Sequence, residues 1–220
     1  MPSSMTGRTW YLVRHGETTW NAEGRMQGQF ESTLNPLGRT QAVRSGETLA
    51  RLGVDQVYAS PLLRVRQTLA EIAIHLPFAP VFDDRLKEWS SGDWSGCLYA
   101  EIAKRWPAEF AAWDADRYSV RPPGGENFID LERRAESFFS DVETSRHPRI
   151  AIVAHGFINR ALAGQLMGLS PLELMAIRQG NDAIFRIRTG QGAPTAEHFI
   201  AGAGPFPGLP GEMRGQRESA

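Results

Sequence analysis

Residues 11–21 read YLVRHGETTWN, a stretch in which Tyr11, Leu12 and Val13 run straight into Arg14-His15 and then Gly16. The first three are strand formers and the glycine is a turn signal, so the charged pair is predicted to sit where a buried strand ends. Open α/β sheets bind ligands at the carboxyl ends of their strands. Arginine offers a planar fork that suits phosphate oxygens, and a neutral imidazole is a nucleophile near neutral pH. The pair reads as a phosphate site with its own nucleophile. An isolated Arg-His dipeptide is more often a surface turn, so the reading depends on what the rest of the chain supplies.

Working outward, residues 22–35 mix glycine, polar and charged groups without a period and read as a loop. Asn35 then caps a helix that has Pro36 at its first position and runs to about Leu52, where Gly53 stops it. Gln56 to Ala59 is a second short strand, and Ser60-Pro61 repeats the cap-and-proline signal ahead of a helix from Leu62 to about His75. Arg64 thereby falls in the first turn of a helix that follows a strand. Val81-Phe82 is a weaker strand, followed by Glu88-Trp89 and the turn chemistry of SSGDWSG at 90–96. Helical stretches are expected at 98–105 and 108–113. Asn127 caps a helix whose Phe128, Leu131, Ala135, Phe138, Phe139 and Val142 form one apolar stripe, read as core. Ile150 to Ala154 is the clearest buried strand and ends in His155-Gly156, repeating the order strand, histidine, glycine. A helix to Met167, a short helix from Ser170 and strands near 183–187 and 195–200 follow. Strands alternating with helices predict an α/β fold with a mostly parallel sheet covered on both faces. Residues 1–200 form a single expected domain, and 201–220, rich in Gly, Pro and charge, an expected mobile tail.

Composition narrows the function. A chain of 220 residues can bury about 70% of its unfolded surface. Its net charge of −1 argues against nucleic acid or an anionic membrane as the main partner. No apolar run approaches a membrane span. The N-terminal residues lack a basic segment followed by an apolar one, and a lone cysteine, Cys97, excludes an internal disulfide, so the expected compartment is the cytoplasm. Lys87 and Lys104 are the only lysines among 24 basic residues, so an arginine in this chain is by itself weak evidence for phosphate.

In a parallel sheet, Arg14 and His15, Arg64, Glu88 and His155 all fall at one sheet edge. With these residues in place the chain resembles the histidine phosphatase superfamily, which includes cofactor-dependent phosphoglycerate mutases and bacterial phosphomonoesterases. The resemblance is carried by LVRHGETTWN (12–21), SPLLRVRQTLAEI (60–72), LKEWSSGDWSGCLYAEI (86–102), PPGGEN (122–127) and VAHGFINRAL (153–162), in the family's order. It implies a three-layer α/β/α sandwich around a mostly parallel sheet, phosphoglycerate mutase-like. It also implies that His15 becomes phosphorylated, that Arg14, Arg64 and His155 form the phosphate pocket, and that Glu88 donates the proton. Asn21, Gln27, Gly28 and Gly156 match positions that line the pocket. No metal and no cofactor are implied.

Physical chemistry supports these roles. Guanidinium groups on the equatorial oxygens bind a phosphomonoester and stabilise in-line transfer, and they disfavour protonation of His15. One ring nitrogen of His15 must be held as a donor so that the other can attack, and His155 is expected to donate to a phosphoryl oxygen. Glu88 must carry a proton to release an alkoxide, with Trp89 and Trp94 supplying apolar surroundings. Asp83 or Asp84 is an alternative acid. His75, His147 and His198 read as structural or surface groups, and no ligand spacing favours a metal site. The expected function is metal-independent hydrolysis of a small phosphorylated metabolite. The mutases of the family carry a longer insertion between the acid-bearing loop and the second histidine, which makes 2,3-bisphosphoglycerate-dependent phosphoglycerate mutase the alternative, with a non-catalytic phosphate-binding domain another. Departures such as QFESTLNPLG and HGF bear on substrate choice, as do Trp106, Trp113, Arg117, Tyr118 and Arg121 in a segment expected to roof the pocket. A homodimer stays open.

Overall fold

The strand former run at 11–13 lies in β1 (Arg8–Arg14), which pairs on one side with β4 (Arg149–Ala154) and on the other with β5 (Ala183–Thr189). The computed structural model describes residues 7–76, 79–190 and 192–211. The remaining elements are β2 (Gln56–Ala59), β3 (Val81–Phe82), β6 (Thr195–Ile200), β7 (Ala203–Pro207) and helices α1 (Thr19–Glu23), α2 (Pro36–Leu52), α3 (Leu63–Ile72), α4 (Tyr99–Arg105), α5 (Pro107–Ala115), α6 (Phe128–Val142), α7 (Gly156–Met167) and α8 (Pro171–Ala176).

One seven-stranded sheet has the order β3-β2-β4-β1-β5-β6-β7. The four strands β3, β2, β4 and β1 are mutually parallel, and β5 to β7 extend the sheet as an antiparallel meander. Central strands are buried on both faces, which explains why Ile150 to Ala154 is apolar without alternation. On one face Trp10, Leu12, Ile150, Ile152 and Phe185 pack with Phe138 and Phe139 of α6 and Leu162 and Leu166 of α7. On the other, Tyr11, Val13, Ala151 and Val153 pack with Leu49 of α2 and Val65, Leu69 and Ile72 of α3. Two helical layers thus enclose the sheet, giving the three-layer α/β/α arrangement.

Three local expectations change. The stretch 22–35 is not all loop, because Thr18 caps α1 in a capping box with Asn21 and Gly24 closes it at φ 69°. Ser60 does not cap α3. The N-cap is Leu62, without a side-chain bond, and Ser60 is used elsewhere. Residues 201–211 are not tail. Ala203–Pro207 pairs with β6, and Leu209 is buried, because the β6–β7 hairpin gives these residues a sheet edge to bond to. The rest of the expected tail, 212–220, lies outside the described residues.

Candidate active site

The parallel order places the carboxyl ends of β1, β4 and β2 side by side, with Val13 opposite Val153 and Val153 opposite Ala59. Arg14-His15, His155 and the Ser60–Arg64 turn therefore leave the sheet at one edge. The chain after His15 is fixed by close backbone packing. A Cβ on Gly16 would lie 2.1 Å from the Gly38 carbonyl oxygen, and one on Gly38 would lie 2.0 Å from that of Glu17, so neither position accepts a side chain. Gly16 N–H donates to Thr68 Oγ1 at 3.0 Å and Asn181 Nδ2 to the His15 carbonyl at 2.7 Å, tying this turn to α3 and to the loop before β5.

His15 is 2% exposed. Its Nδ1 lies 2.8 Å from the Gly16 carbonyl and must be the protonated nitrogen, since a carbonyl only accepts. Nε2 has no hydrogen bond within the described residues and is the free lone pair. Burial first, then the charges of Arg64 and Arg14, hold the ring well below the usual histidine range, so it is neutral at pH 7.

Arg64 is 1% exposed and clamped by three acceptors: His155 Nδ1 at 3.1 Å from Nε, the Phe30 carbonyl at 2.9 Å and the Gly28 carbonyl at 2.7 Å. Each terminal nitrogen keeps a second N–H for a ligand. Burial pushes its pKa down to about 10, against the pull of Glu88. Arg14 donates to the Gln179 carbonyl at 2.8 Å, while its Nε is buried without a partner among the described residues. Gly156 stands beside it: a Cβ there would lie 3.5 Å from Arg14 Nε and 3.9 Å from Glu88 Oε2, so a larger side chain would enter the space between arginine and carboxyl.

Glu88 sits at the start of α7. Its Oε1 accepts from the backbone N–H of Trp89 at 3.0 Å, Phe157 at 3.2 Å and Ile158 at 3.3 Å, two of them orphan donors of the helix N-terminus. Its own carbonyl is held by Gln29 at 3.0 Å and Arg134 at 3.3 Å. Arg134 in turn pairs with Glu126, which accepts from Ser90 N–H at 2.7 Å, so the Glu126 of PPGGEN anchors the acid-bearing loop and not the substrate pocket. Trp89 stacks on Phe157 at 4.8 Å and on Trp113 at 5.7 Å, with Trp94 behind. Asp83 is engaged with Arg85, and Asp84 pairs with Lys87; neither lines the cavity.

A cavity of about 190 Å³ is lined by Arg14, His15, Asn21, Gln27, Gly28, Arg64, Glu88 and Gly156, together with Arg25, Tyr99, Trp89, Phe157 and Arg160. Among the described residues Gln27 Oε1 is buried there without a partner, and Asn21 Oδ1 is spent on Thr18, leaving Nδ2 as its spare donor. His155 is the exception. It is fully buried, 5.1 Å ring to ring from His15, but its Nδ1 accepts from Arg64 and its Nε2 therefore donates to Ser60 Oγ at 2.7 Å. Both ring nitrogens are thus engaged, one by Arg64 and one by Ser60, which ties the ring to the Arg64 guanidinium. Burial and Arg64 hold His155 well below the usual histidine range. Sequence reasoning missed Ser60, whose helix-cap signal hid this second role, and Arg160, one arginine among many. Trp113 belongs to the core, and Tyr118 and Arg121 are engaged with Glu132 and Asp130. Among the described residues no group of three or more His, Cys, Asp or Glu could hold a metal ion, and no helix is long and apolar enough to cross a membrane.

A model of the histidine phosphatase superfamily (branch 1) matches residues 10–201. The chain belongs to this family. It is 34% identical over 160 residues to "Phosphoserine phosphatase 1" of Hydrogenobacter thermophilus, covering 72% of this chain and 75% of that one. It is 30% identical over 202 residues to "Glucosyl-3-phosphoglycerate phosphatase" of Mycobacterium tuberculosis, covering 88% and 90%. A solved mycobacterial glucosyl-3-phosphoglycerate phosphatase in complex with VO3 superimposes with a TM-score of 0.79 at 28% identity, over 90% of this chain and all of that one. As a histidine phosphatase, the chain carries the family's α/β/α sandwich with its candidate groups at the carboxyl edge of the sheet.

Proposed function

We propose that the protein is a metal-independent phosphomonoester hydrolase that works through a phosphohistidine on a small phosphorylated metabolite. The observation that carries this reading is the His15 ring, held neutral with Nδ1 on Gly16 and Nε2 free in a cavity that also holds Arg14, Arg64 and Glu88. The relatives named as phosphatases for phosphoserine and glucosyl-3-phosphoglycerate support the same chemistry.

In this mechanism Arg14 and Arg64 take the phosphoryl oxygens through the N–H groups the fold leaves over. His15 Nε2 attacks phosphorus in line, the N–P bond forms as the ester P–O bond breaks, and the charge on the equatorial oxygens is met by fixed donors. Glu88 passes its proton to the leaving alkoxide. As a carboxylate it then takes a proton from the water that attacks the phosphohistidine, releasing phosphate and regenerating neutral His15. His155 and Ser60 hold Arg64 in register.

p-Nitrophenyl phosphate assayed with and without EDTA tests the reading: turnover unaffected by chelation is expected, and no turnover, or loss on chelation, defeats it. Supplying 3-phosphoglycerate with catalytic bisphosphoglycerate separates the alternative. Free phosphate is expected, and rapid formation of the 2-isomer without phosphate would make the protein a mutase.

A further inference from the structure

Beside the catalytic cavity lies a wider one of about 650 Å³, large enough for a small-molecule group, and Arg160 of α7 lines both. The wider cavity is faced by three arginines. Arg117 is paired with Asp114, and Arg178 Nη1 donates to the carbonyls of Met175 at 2.7 Å and Ile177 at 3.1 Å. Asp116 is likewise occupied, accepting from the N–H of Tyr118 at 3.1 Å and Ser119 at 3.0 Å.

Arg160 differs. Its Nε is buried with no partner, and no hydrogen bond or ion pair reaches its guanidinium from the described residues. Its charge lies over the Phe157 ring, 5.0 Å from the centroid. Burial, with repulsion from Arg178, pushes its pKa down to about 10. A desolvated cation with unused donors costs stability unless something supplies the acceptors. Phe157 stacks on Trp89 and on Phe128, and the Arg160 guanidinium beside it lies on the border of the two cavities.

Resting on the hydrolase reading, we propose that Arg160 binds a carboxylate on the alcohol part of the substrate, so that the enzyme selects phosphomonoesters whose leaving group carries a carboxylate near the ester oxygen. A single planar fork matches a carboxylate in bidentate fashion. Of the other arginines facing this cavity, Arg117 is paired with Asp114, and Arg178 spends only Nη1, on backbone carbonyls. The rest of the leaving group extends past Arg160 into the wider cavity, beside Tyr118 and Ser119.

The test uses substrate pairs that differ at the carboxylate: O-phosphoserine against O-phosphoethanolamine, and 3-phosphoglycerate against glycerol 1-phosphate. The wild-type enzyme is expected to favour the carboxylated member of each pair by about 10- to 100-fold in kcat/KM, the worth of a charge-assisted hydrogen bond. Arg160→Met should bring both ratios to within about 3-fold of unity, with Arg160→Lys between, as a point charge replaces a fork. A wild-type enzyme that hydrolyses both members of each pair equally overturns the proposal without touching the hydrolase reading, and it needs no variant. An equal loss by Arg160→Met on all substrates, p-nitrophenyl phosphate included, also overturns it, because Arg160 would then serve the transferred phosphoryl group. A wild-type enzyme inert towards every phosphomonoester removes both readings.

Discussion

His15 and His155 leave adjacent parallel strands in the same order of residues, strand then histidine then glycine, yet the fold gives them opposite roles. His15 spends one nitrogen on its neighbour's carbonyl and presents the other to the cavity. His155 spends both, one as acceptor from Arg64 and one as donor to Ser60, and is withdrawn behind the arginine. The difference comes from what each ring meets. Beside His15 lie a backbone carbonyl and open space, whereas beside His155 lie a guanidinium and a hydroxyl. On the mechanism proposed above, a strand-end histidine can attack only where its second nitrogen has nothing to bond.

Replacing His15 by Ala should break the comparison most severely. No acid-labile phosphate should be trapped on the enzyme, and turnover should fall by at least ~10⁴-fold. A variant that still labels would transfer the nucleophile's role to another residue. Next comes Glu88→Gln, which should slow alkyl phosphates by ~10²–10⁴-fold while sparing phosphoenzyme formation from p-nitrophenyl phosphate, whose leaving group departs without a proton. Equal losses on both substrates would deny the acid role.

His155→Ala should cost ~10²-fold through a loosened Arg64, with the phosphohistidine still detectable by acid-labile labelling. Disappearance of the phosphoenzyme would place His155 on the phosphoryl group after all. Ser60→Ala should act in the same sense but more weakly. It leaves the His155 Nε2–H without an acceptor, at about 1–3 kcal/mol of stability measured by denaturant melts, with only a several-fold loss of rate.

The smallest effect is common to both rings. Each is held well below the ordinary histidine value, so the unfolded chain takes up a proton as pH falls below about 6.5 and the native state does not. Stability contributed by the two neutral rings is therefore complete above that pH and declines below it, by at most about 1.4 kcal/mol per pH unit for each, until the native rings protonate. Melts at pH 7, 6 and 5 should show this, and His155→Gln should remove one share of the slope. An unchanged slope would mean that His155 is already charged in the native state.

Local signals settled a good part of the molecule. The Asn35-Pro36 start and Gly53 stop bound α2, Asn127 caps α6 with its apolar stripe facing the core, and the strand–histidine–glycine repeats mark two ends of one sheet edge. These are legible because caps, turns and periodicity act within a few residues. The β7 strand was not legible, since Gly and Pro conceal a segment that forms by pairing with an available edge. Nor was the start of α3, where Ser60 Oγ meets a histidine 95 residues away at 2.7 Å as well as the Leu62 N–H at 3.4 Å.

The sequence by itself determined that strand ends would carry an arginine–histidine pair, an acid and a second histidine at one edge of an α/β sheet, because residue types, periodicity and caps are local properties of the chain. Only the tertiary structure decided which nitrogen stays free, which arginine is clamped and which is left unpaired. A side chain's role depends on the acceptors, donors and burial that distant segments bring to it.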